Sequence, residues 1–147
     1  MTLRESAPMT EDQARLLSPL QLAHLGDTVW ELLIRSRLIH RGCNVHHMHQ
    51  QAVAGVNAAA QAQALTWLEG RLTGAEEDIV RRGRNAHARH PRPRHQDAAD
   101  YQAATALEAL MGYLYLKGEQ KRMVDLVYEG LRGQGFLGSQ TVGKSER

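Results

Sequence analysis

The chain has few of the features that would place it in a membrane or in an oxidising compartment. Cys43 is the single cysteine among 147 residues, so no disulfide can form within the chain. No apolar run approaches the roughly 18 residues that a membrane-spanning helix needs, and we therefore expect no membrane span. The first residues mix arginines with acids around no apolar core, which excludes a secretory signal and is atypical of a transit peptide.

Strand patterns and internal repeats are also missing. Almost every segment instead repeats its apolar residues at helical spacing, which predicts an all-α fold of about five helices. The length suits one domain. We expect a flexible lead-in over residues 1–17, the folded domain over residues 18–132, and a flexible tail rich in glycine and serine over residues 133–147.

Local signals predict where the helices begin and end. Ser18 followed by Pro19 is typical of a helix start, and Gly42 is typical of a stop. Further helices are expected over about 46–68, from a capping box at Thr73 into the arginines at 81–84, from Asp97 or Asp100 to about 116, and over about 119–132. The alanine-rich second helix should bury one stripe, which consists of Val53, Val56, Ala60, Ala64 and Trp67.

Two of the predicted helices each carry one acid on an otherwise apolar surface. Gly26 precedes Asp27, and Gly112 follows Glu108 by one turn, so bulk is missing where a backbone or a ligand could approach. If the two faces meet, Asp27 and Glu108 could share Mg²⁺, which takes oxygen ligands and commonly uses one or two carboxylates. The alternative is an ordinary ion pair along the first helix, in which Asp27 or Glu31 pairs with Arg35.

Two longer strings extend this pattern. The first, LAHLGDTVWELL, contains Asp27, and the second, ATALEALMGYLYLKG, contains Glu108. Together they resemble the Leu-Gly-Asp and Glu-Ala-x-x-Gly-x-Leu-Tyr-Leu signatures of the ribonuclease III family. Between them, RRGRNA and VNAAAQAQAL resemble the family's small bacterial branch, Mini-ribonuclease III. The resemblance covers about residues 20–127.

The resemblance implies a ribonuclease III-type helical endonuclease domain that acts in the bacterial cytoplasm as a homodimer. It implies Mg²⁺-dependent cleavage of double-stranded RNA that leaves 5′-phosphate and 3′-hydroxyl ends. It also implies maturation of the ends of the 23S rRNA precursor. The small branch has no separate double-stranded-RNA-binding domain, and the residues after Arg132 are too few to form one.

Carried over residue by residue, the resemblance makes Asp27 and Glu108 the metal-binding catalytic carboxylates. Larger family members carry two more acids, at positions that are Ala23 and Thr105 in this chain. Water or RNA phosphate would then complete the metal's shell. Thr105 could hold such a water or simply pack, and Glu31 is a second candidate for a supporting role around the metal.

Basic residues concentrate in one stretch although the net charge is only +2. Residues 81–95 contain six arginines, three histidines and no acid. Side chains cannot read the deep major groove of A-form RNA, so binding should rest on phosphates and 2′-hydroxyls. The expected RNA contacts are first Arg81, Arg82, Arg84 and Asn85, and then Arg89, Arg92 and Arg94 on a basic loop over 88–97. This loop could equally be an exposed, solvated segment.

A histidine run lies between the two signatures. His46 and His49 have the spacing of a helical metal pair, but no cysteine or second histidine pair lies at zinc spacing. His49 also matches a histidine of the small branch. We therefore expect an RNA contact at His49, with a helix-packing role as the alternative.

Two other functions compete with nuclease activity. A non-catalytic RNA-binding or ribosome-assembly protein could keep the same fold, although it would not need both acids. A helical interaction module with a basic loop would explain neither signature.

Overall fold

The computed structural model describes residues 7–86 and 97–133, and over these ranges it contains helices and no strands. The all-α prediction is therefore confirmed. Seven helices lie in these ranges, α1 (Glu11–Arg15), α2 (Pro19–His40), α3 (Val45–Val56), α4 (Ala58–Leu68), α5 (Gly74–Asn85), α6 (Ala98–Leu116) and α7 (Gln120–Gly133). None of these seven is both long enough and apolar enough to cross a bilayer.

Most helix ends lie where the local signals predict them. Ser18 and Thr73 each form a capping box, and the Asp97 side chain accepts hydrogen bonds from two backbone N–H groups of α6. Gly42 and Gly118 follow the ends of α2 and α6 with φ of 78° and 79°, a conformation that glycine adopts without strain. These ends depend only on neighbours in the sequence.

The segment predicted as a flexible lead-in contains a packed helix. Thr10 and Gln13 form a capping box that starts α1, and Ala14 is fully buried. Lys117 donates a hydrogen bond to Glu11 at 2.7 Å, and the Tyr113 hydroxyl donates to the same carboxylate. These contacts with α6 hold a helix that is too short to be stable alone.

The alanine-rich segment forms two helices rather than the one that periodicity predicts. Asn57 has an extended backbone and caps α4, because its side-chain oxygen accepts a hydrogen bond from the Ala60 N–H at 2.8 Å. The break changes the buried face. Val53 and Trp67, predicted to be buried, are 56% and 42% exposed. The buried residues of α4 are Ala60, Gln61, Ala64, Leu65 and Leu68.

Helix α6 occupies the centre of the bundle and packs against α2, α4, α5 and α7. Its residues from Ala103 to Leu114 are buried, with Glu108 as the half-buried exception. Small side chains and glycines on the surrounding helices let the backbones approach closely. The centre of the fold therefore presents one acid in an apolar environment.

Candidate active site

Two glycines bring α2 and α6 into backbone contact at the point where each helix carries its acid. A Cβ on Gly26 would lie 1.6 Å from the carbonyl oxygen of Glu108, and a Cβ on Gly112 would lie 2.1 Å from that of Leu22. Neither position tolerates a side chain without movement of a backbone. The glycines thus provide clearance for a helix crossing, and the crossing sets the position of both acids.

The crossing places the carboxyl groups of Asp27 and Glu108 within hydrogen-bonding reach of each other. Asp27 is exposed to solvent, while Glu108 is half-buried. The pair therefore has one oxygen-rich side open to solvent and one side set into the bundle. A pair of this kind can hold a hard cation or share a proton.

The environment of Glu108 disfavours its charged form. Burial raises the pKa of its carboxyl from 4.5 to about 8. The hydrogen bond from Gln61 lowers this pKa, but the charge of Asp27 and a hydrogen bond between the two carboxyl groups raise it. Within the protein, the charge of Glu108 is therefore only partly compensated.

Gln61 on α4 belongs to this site, although it was not among the residues predicted from the sequence. Its side-chain Nε2 donates a hydrogen bond to Glu108 Oε2 at 3.1 Å, and the residue is only 2% exposed. The one available signal was a polar residue within the alanine-rich stretch that packs on the core. Its partner lies 47 positions away, which local patterns do not reveal.

The predicted alternative for Asp27, an ion pair with Arg35, is not the pairing that the structure shows. Arg35 donates instead to Glu31, the other ion pair that the sequence allowed, and this pair lies at the surface of α2. Glu31, predicted as a supporting residue, is thus engaged on the surface of α2. The Asp27 carboxyl group lies beside that of Glu108.

Thr105 lies one turn before Glu108 on α6 and is buried. Its hydroxyl donates a hydrogen bond to the Tyr101 carbonyl oxygen at 3.0 Å, on the preceding turn of the helix. Its predicted supporting role remains a prediction.

The predicted RNA-binding residues on α5 have protein partners. Arg81 pairs with Asp78, and Arg84 lies 3.3 Å from Glu69. Arg82 donates to the carbonyl oxygens of Arg15, at the end of α1, and Leu17, just before α2, at 3.0 Å each, so it also holds the α1–α2 turn in place. Asn85 is exposed at the end of α5.

The remaining predicted RNA contacts are His49 and the arginines of the predicted basic loop. His49 is exposed on α3 and lines a groove of about 210 Å³ with Arg35 and Leu38. Arg89, Arg92 and Arg94, on the predicted basic loop 88–97, lie outside the described residues, as does the tail from residue 134.

The metal-ligand chemistry of the described helices is limited to pairs. Across 7–86 and 97–133, no three side chains of the types His, Cys, Asp and Glu cluster as a metal site would need. The Asp27–Glu108 pair is therefore a two-carboxylate site. Such a pair can suffice for Mg²⁺, which retains several waters and commonly binds substrate phosphate.

Comparison with known proteins identifies the fold that carries this pair. The model of the Ribonuclease III domain family matches residues 20–119, which include Asp27, Gln61 and Glu108. The chain belongs to the ribonuclease III family. It is 46% identical to Mini-ribonuclease 3 of Symbiobacterium thermophilum over 112 residues, which cover 76% of this chain and 85% of that relative. It is 48% identical to Mini-ribonuclease 3 of Gloeobacter violaceus over 104 residues, covering 71% and 76% of the two chains.

A solved structure shares the fold. The crystal structure of protein FN1578 from Fusobacterium nucleatum matches with a TM-score of 0.70 and 31% sequence identity, over 82% of this chain and 96% of that one. Family and relatives together identify the chain as an endoribonuclease of the ribonuclease III type. An interaction module without nuclease ancestry is thereby excluded.

Proposed function

We propose that this endoribonuclease cleaves double-stranded RNA and that Asp27 and Glu108 hold the Mg²⁺ it requires. The observation that carries the proposal is the contact between these two carboxyl groups across the α2–α6 crossing. The family provides the reaction class, and the paired acids provide a location for it.

The residues present suit a hard divalent cation. Both offer carboxylate oxygens, and the burial of Glu108 beside a second carboxyl group, which raises its pKa, supports a site that favours a cation. A cation would offset the repulsion between the two carboxylates and so favour their ionised forms. When bound, such a cation lowers the pKa of water and offsets the negative charge that develops on the phosphoryl oxygens.

The two carboxylates differ in their exposure to solvent and so have different proposed roles. The exposed carboxylate of Asp27 faces the solvent from which an RNA phosphate would arrive, while the half-buried carboxylate of Glu108 is fixed by the bundle. Attack of water on phosphorus, with departure of the 3′-oxygen, leaves 5′-phosphate and 3′-hydroxyl ends. The reaction needs no serine or cysteine nucleophile.

RNA binding is proposed to rest on the basic residues of α5 and on His49. Arg81 and Arg84 form exposed or half-exposed ion pairs, and such pairs contribute about 0–1 kcal/mol, so a phosphate can compete for these guanidinium groups. We retain Arg82 and Asn85 in the same surface, with Arg82 also holding the α1–α2 turn. Binding should weaken as the salt concentration rises.

We also propose a bacterial cytoplasmic homodimer that matures the 23S rRNA precursor. The support for this substrate and location is the resemblance to the small branch of the family. For the dimer there is also a surface observation, because Leu32 and Ile39 on α2 are 53% and 63% exposed. Large apolar side chains in such positions are typical of protein interfaces.

A cleavage assay tests the activity and its site. Purified protein is incubated with a perfect RNA duplex and Mg²⁺, alongside Asp27→Asn, Glu108→Gln and the control Asp125→Asn, which alters an exposed acid on α7. We expect the wild type and the control to cleave at similar rates and the two site variants to be inactive but folded.

Two outcomes would overturn parts of the proposal. Cleavage that persists in Asp27→Asn would contradict the assigned site. RNA binding by the wild type without cleavage would favour the alternative of a non-catalytic RNA-binding or ribosome-assembly protein. For the substrate, mapping the ends of 23S rRNA in cells lacking the protein should reveal extended ends, and mature ends would contradict the rRNA assignment.

A further inference from the structure

Gln61 is a buried polar residue that directs its side chain at the acid pair. The described part of the chain buries three polar or charged residues in its core, Gln61, Glu76 and Thr105. Glu76 binds Arg122, and the Thr105 hydroxyl binds a carbonyl of its own helix. Gln61 donates to a proposed metal ligand, at 3.1 Å from Glu108 Oε2.

The position of Gln61 is fixed from several directions. It lies in the first turn of α4, where its backbone N–H donates to the Asn57 carbonyl at 3.1 Å. Asn57 also caps this helix with its side chain. Just before the cap, the indole of Trp30 on α2 donates to the Gly55 carbonyl at 3.0 Å. The start of α4 is therefore tied to α2, the helix that carries Asp27.

We propose that Gln61 is a positioning residue that fixes the Glu108 carboxylate for cation binding. This inference rests on the proposed function of Glu108. The amide holds one carboxylate oxygen and so limits rotation of the side chain about its last bond. Residues that hold metal ligands in this way typically contribute 10–100-fold to metal affinity or activity.

A neutral amide is better suited than a cationic side chain to hold the Glu108 carboxylate for a metal ion. A lysine or arginine at this position would neutralise Glu108 and compete with the metal for its charge. The amide donates a hydrogen bond while adding no charge, so the carboxylate keeps its attraction for a divalent ion.

Gln61→Met tests the proposal, because methionine keeps the length and shape of the side chain but cannot donate a hydrogen bond. The matched control is Gln63→Met, at an exposed position two residues further along α4. For both variants we would measure kcat and KM on duplex RNA, the affinity for Mn²⁺ by calorimetry, and the melting temperature. Asp27→Asn measured in parallel tests the metal site itself.

We expect Gln61→Met to lose roughly 10- to 100-fold in Mn²⁺ affinity and in kcat at limiting Mg²⁺, with KM for RNA nearly unchanged. Excess Mg²⁺ should restore much of its kcat, which a packing defect would not do. Wild-type Mn²⁺ affinity and kcat in a folded Gln61→Met would overturn the proposal. Normal cleavage by Asp27→Asn would contradict the proposed metal site itself. Wild-type behaviour of Gln61→Met alone would contradict only the positioning role of Gln61.

A crystal of the wild type grown with Mn²⁺ supplies a test that does not depend on a variant's folding. We expect the Gln61 amide to remain within hydrogen-bonding distance of Glu108 while that carboxylate contacts the ion. An amide turned away from Glu108 would contradict the inference.

Discussion

Glu76 is buried and Glu108 is half-buried, and the surroundings of these two glutamates differ in kind. Glu76 on α5 accepts hydrogen bonds from Arg122 Nη2 at 2.7 Å and from Arg122 Nε at 2.9 Å. Burial opposes the charge of Glu76, but the bonds from Arg122 and Thr73 outweigh it and hold the pKa of this carboxyl below its usual value. Glu108 has a neutral amide and a second carboxyl group instead, and its pKa is raised to about 8.

The difference separates a structural acid from a functional one. Hydrogen bonds from Arg122 and Thr73 stabilise the charge of Glu76. This carboxylate therefore connects α5 to α7 and requires no additional ligand. Glu108 lies in a similarly apolar region, but among residues 7–86 and 97–133 no cationic side chain pairs with it. A carboxylate left in this state lowers the stability of the fold, which is the usual cost of an active site that awaits its ligand.

The largest effect should be on catalysis. Glu108→Gln removes a proposed metal ligand with little change in shape and should lower kcat roughly 1,000-fold or more, equivalent to about 4 kcal/mol of activation free energy. Glu76→Gln should leave the kcat of the folded protein within about twofold while lowering its melting temperature. Single-turnover cleavage and thermal melts of both variants measure this contrast. A catalytic loss in Glu76→Gln that exceeds its loss of folded protein would contradict it.

A methyl group at the helix crossing should have the next largest effect. Gly26→Ala places a Cβ 1.6 Å from the Glu108 carbonyl oxygen, so α2 and α6 must separate. We expect a loss of about 3 kcal/mol or more in the free energy of unfolding. Gly74→Ala is the control, because no atom lies within 4 Å of its added Cβ, and it should be neutral or slightly stabilising. Urea denaturation measures both, and equal stability of the two variants would be inconsistent with the described crossing.

Removal of Arg122 should leave Glu76 without its cationic partner, a state similar to that of Glu108. Arg122→Met leaves the Glu76 carboxylate buried without its main hydrogen-bond donor. Because Arg122 is about one third exposed, we expect a loss of about 2 kcal/mol, somewhat less than for a fully buried pair. Denaturant unfolding at pH 7 measures the change. An unchanged free energy of unfolding would show that Glu76 is not stabilised by this pair.

The smallest effect concerns pH and has opposite signs at the two glutamates. Between pH 4.5 and about 8, native Glu108 keeps a proton that the unfolded chain has released, so its contribution to stability falls as pH rises. Relative to Glu108→Gln, the metal-free wild type should therefore lose about 3 °C or more in melting temperature from pH 5 to pH 8. Relative to Glu76→Gln, the wild type should instead lose stability as pH falls below about 4.5. Melts in EDTA across this range test both signs, and parallel curves for wild type and Glu108→Gln would refute the first.

Features set by neighbouring residues could be predicted from the sequence. The capping residues Ser18, Thr73 and Asp97 start helices as expected, since a cap depends on contacts within three or four positions. The residue pattern alone indicated Asp27 and Glu108 only as one possible metal pair, because each has a glycine nearby on its helix face. The resemblance then indicated that these two faces belong to one site.

Features set by distant contacts could not be predicted in this way. Periodicity alone predicted one helix where the structure has α3 and α4. The pattern is helical on both sides of Asn57, so it does not reveal the break that this cap introduces. The roles of Gln61 and Arg82 depend on partners 47 and 65 to 67 positions away. The sequence does not show that such side chains meet, and only the packing of α4 and α5 on their neighbours makes these contacts.

The central claim is that the Asp27–Glu108 pair is a cation site and that the buried Glu76 is not. Anomalous diffraction at the manganese edge, from crystals of the wild type soaked in Mn²⁺, tests this most directly. We predict a peak in direct contact with carboxylate oxygens of both Asp27 and Glu108, and none at Glu76. Soaked crystals with no peak at the α2–α6 crossing, and with the two carboxyl groups still hydrogen-bonded to each other, would contradict the account.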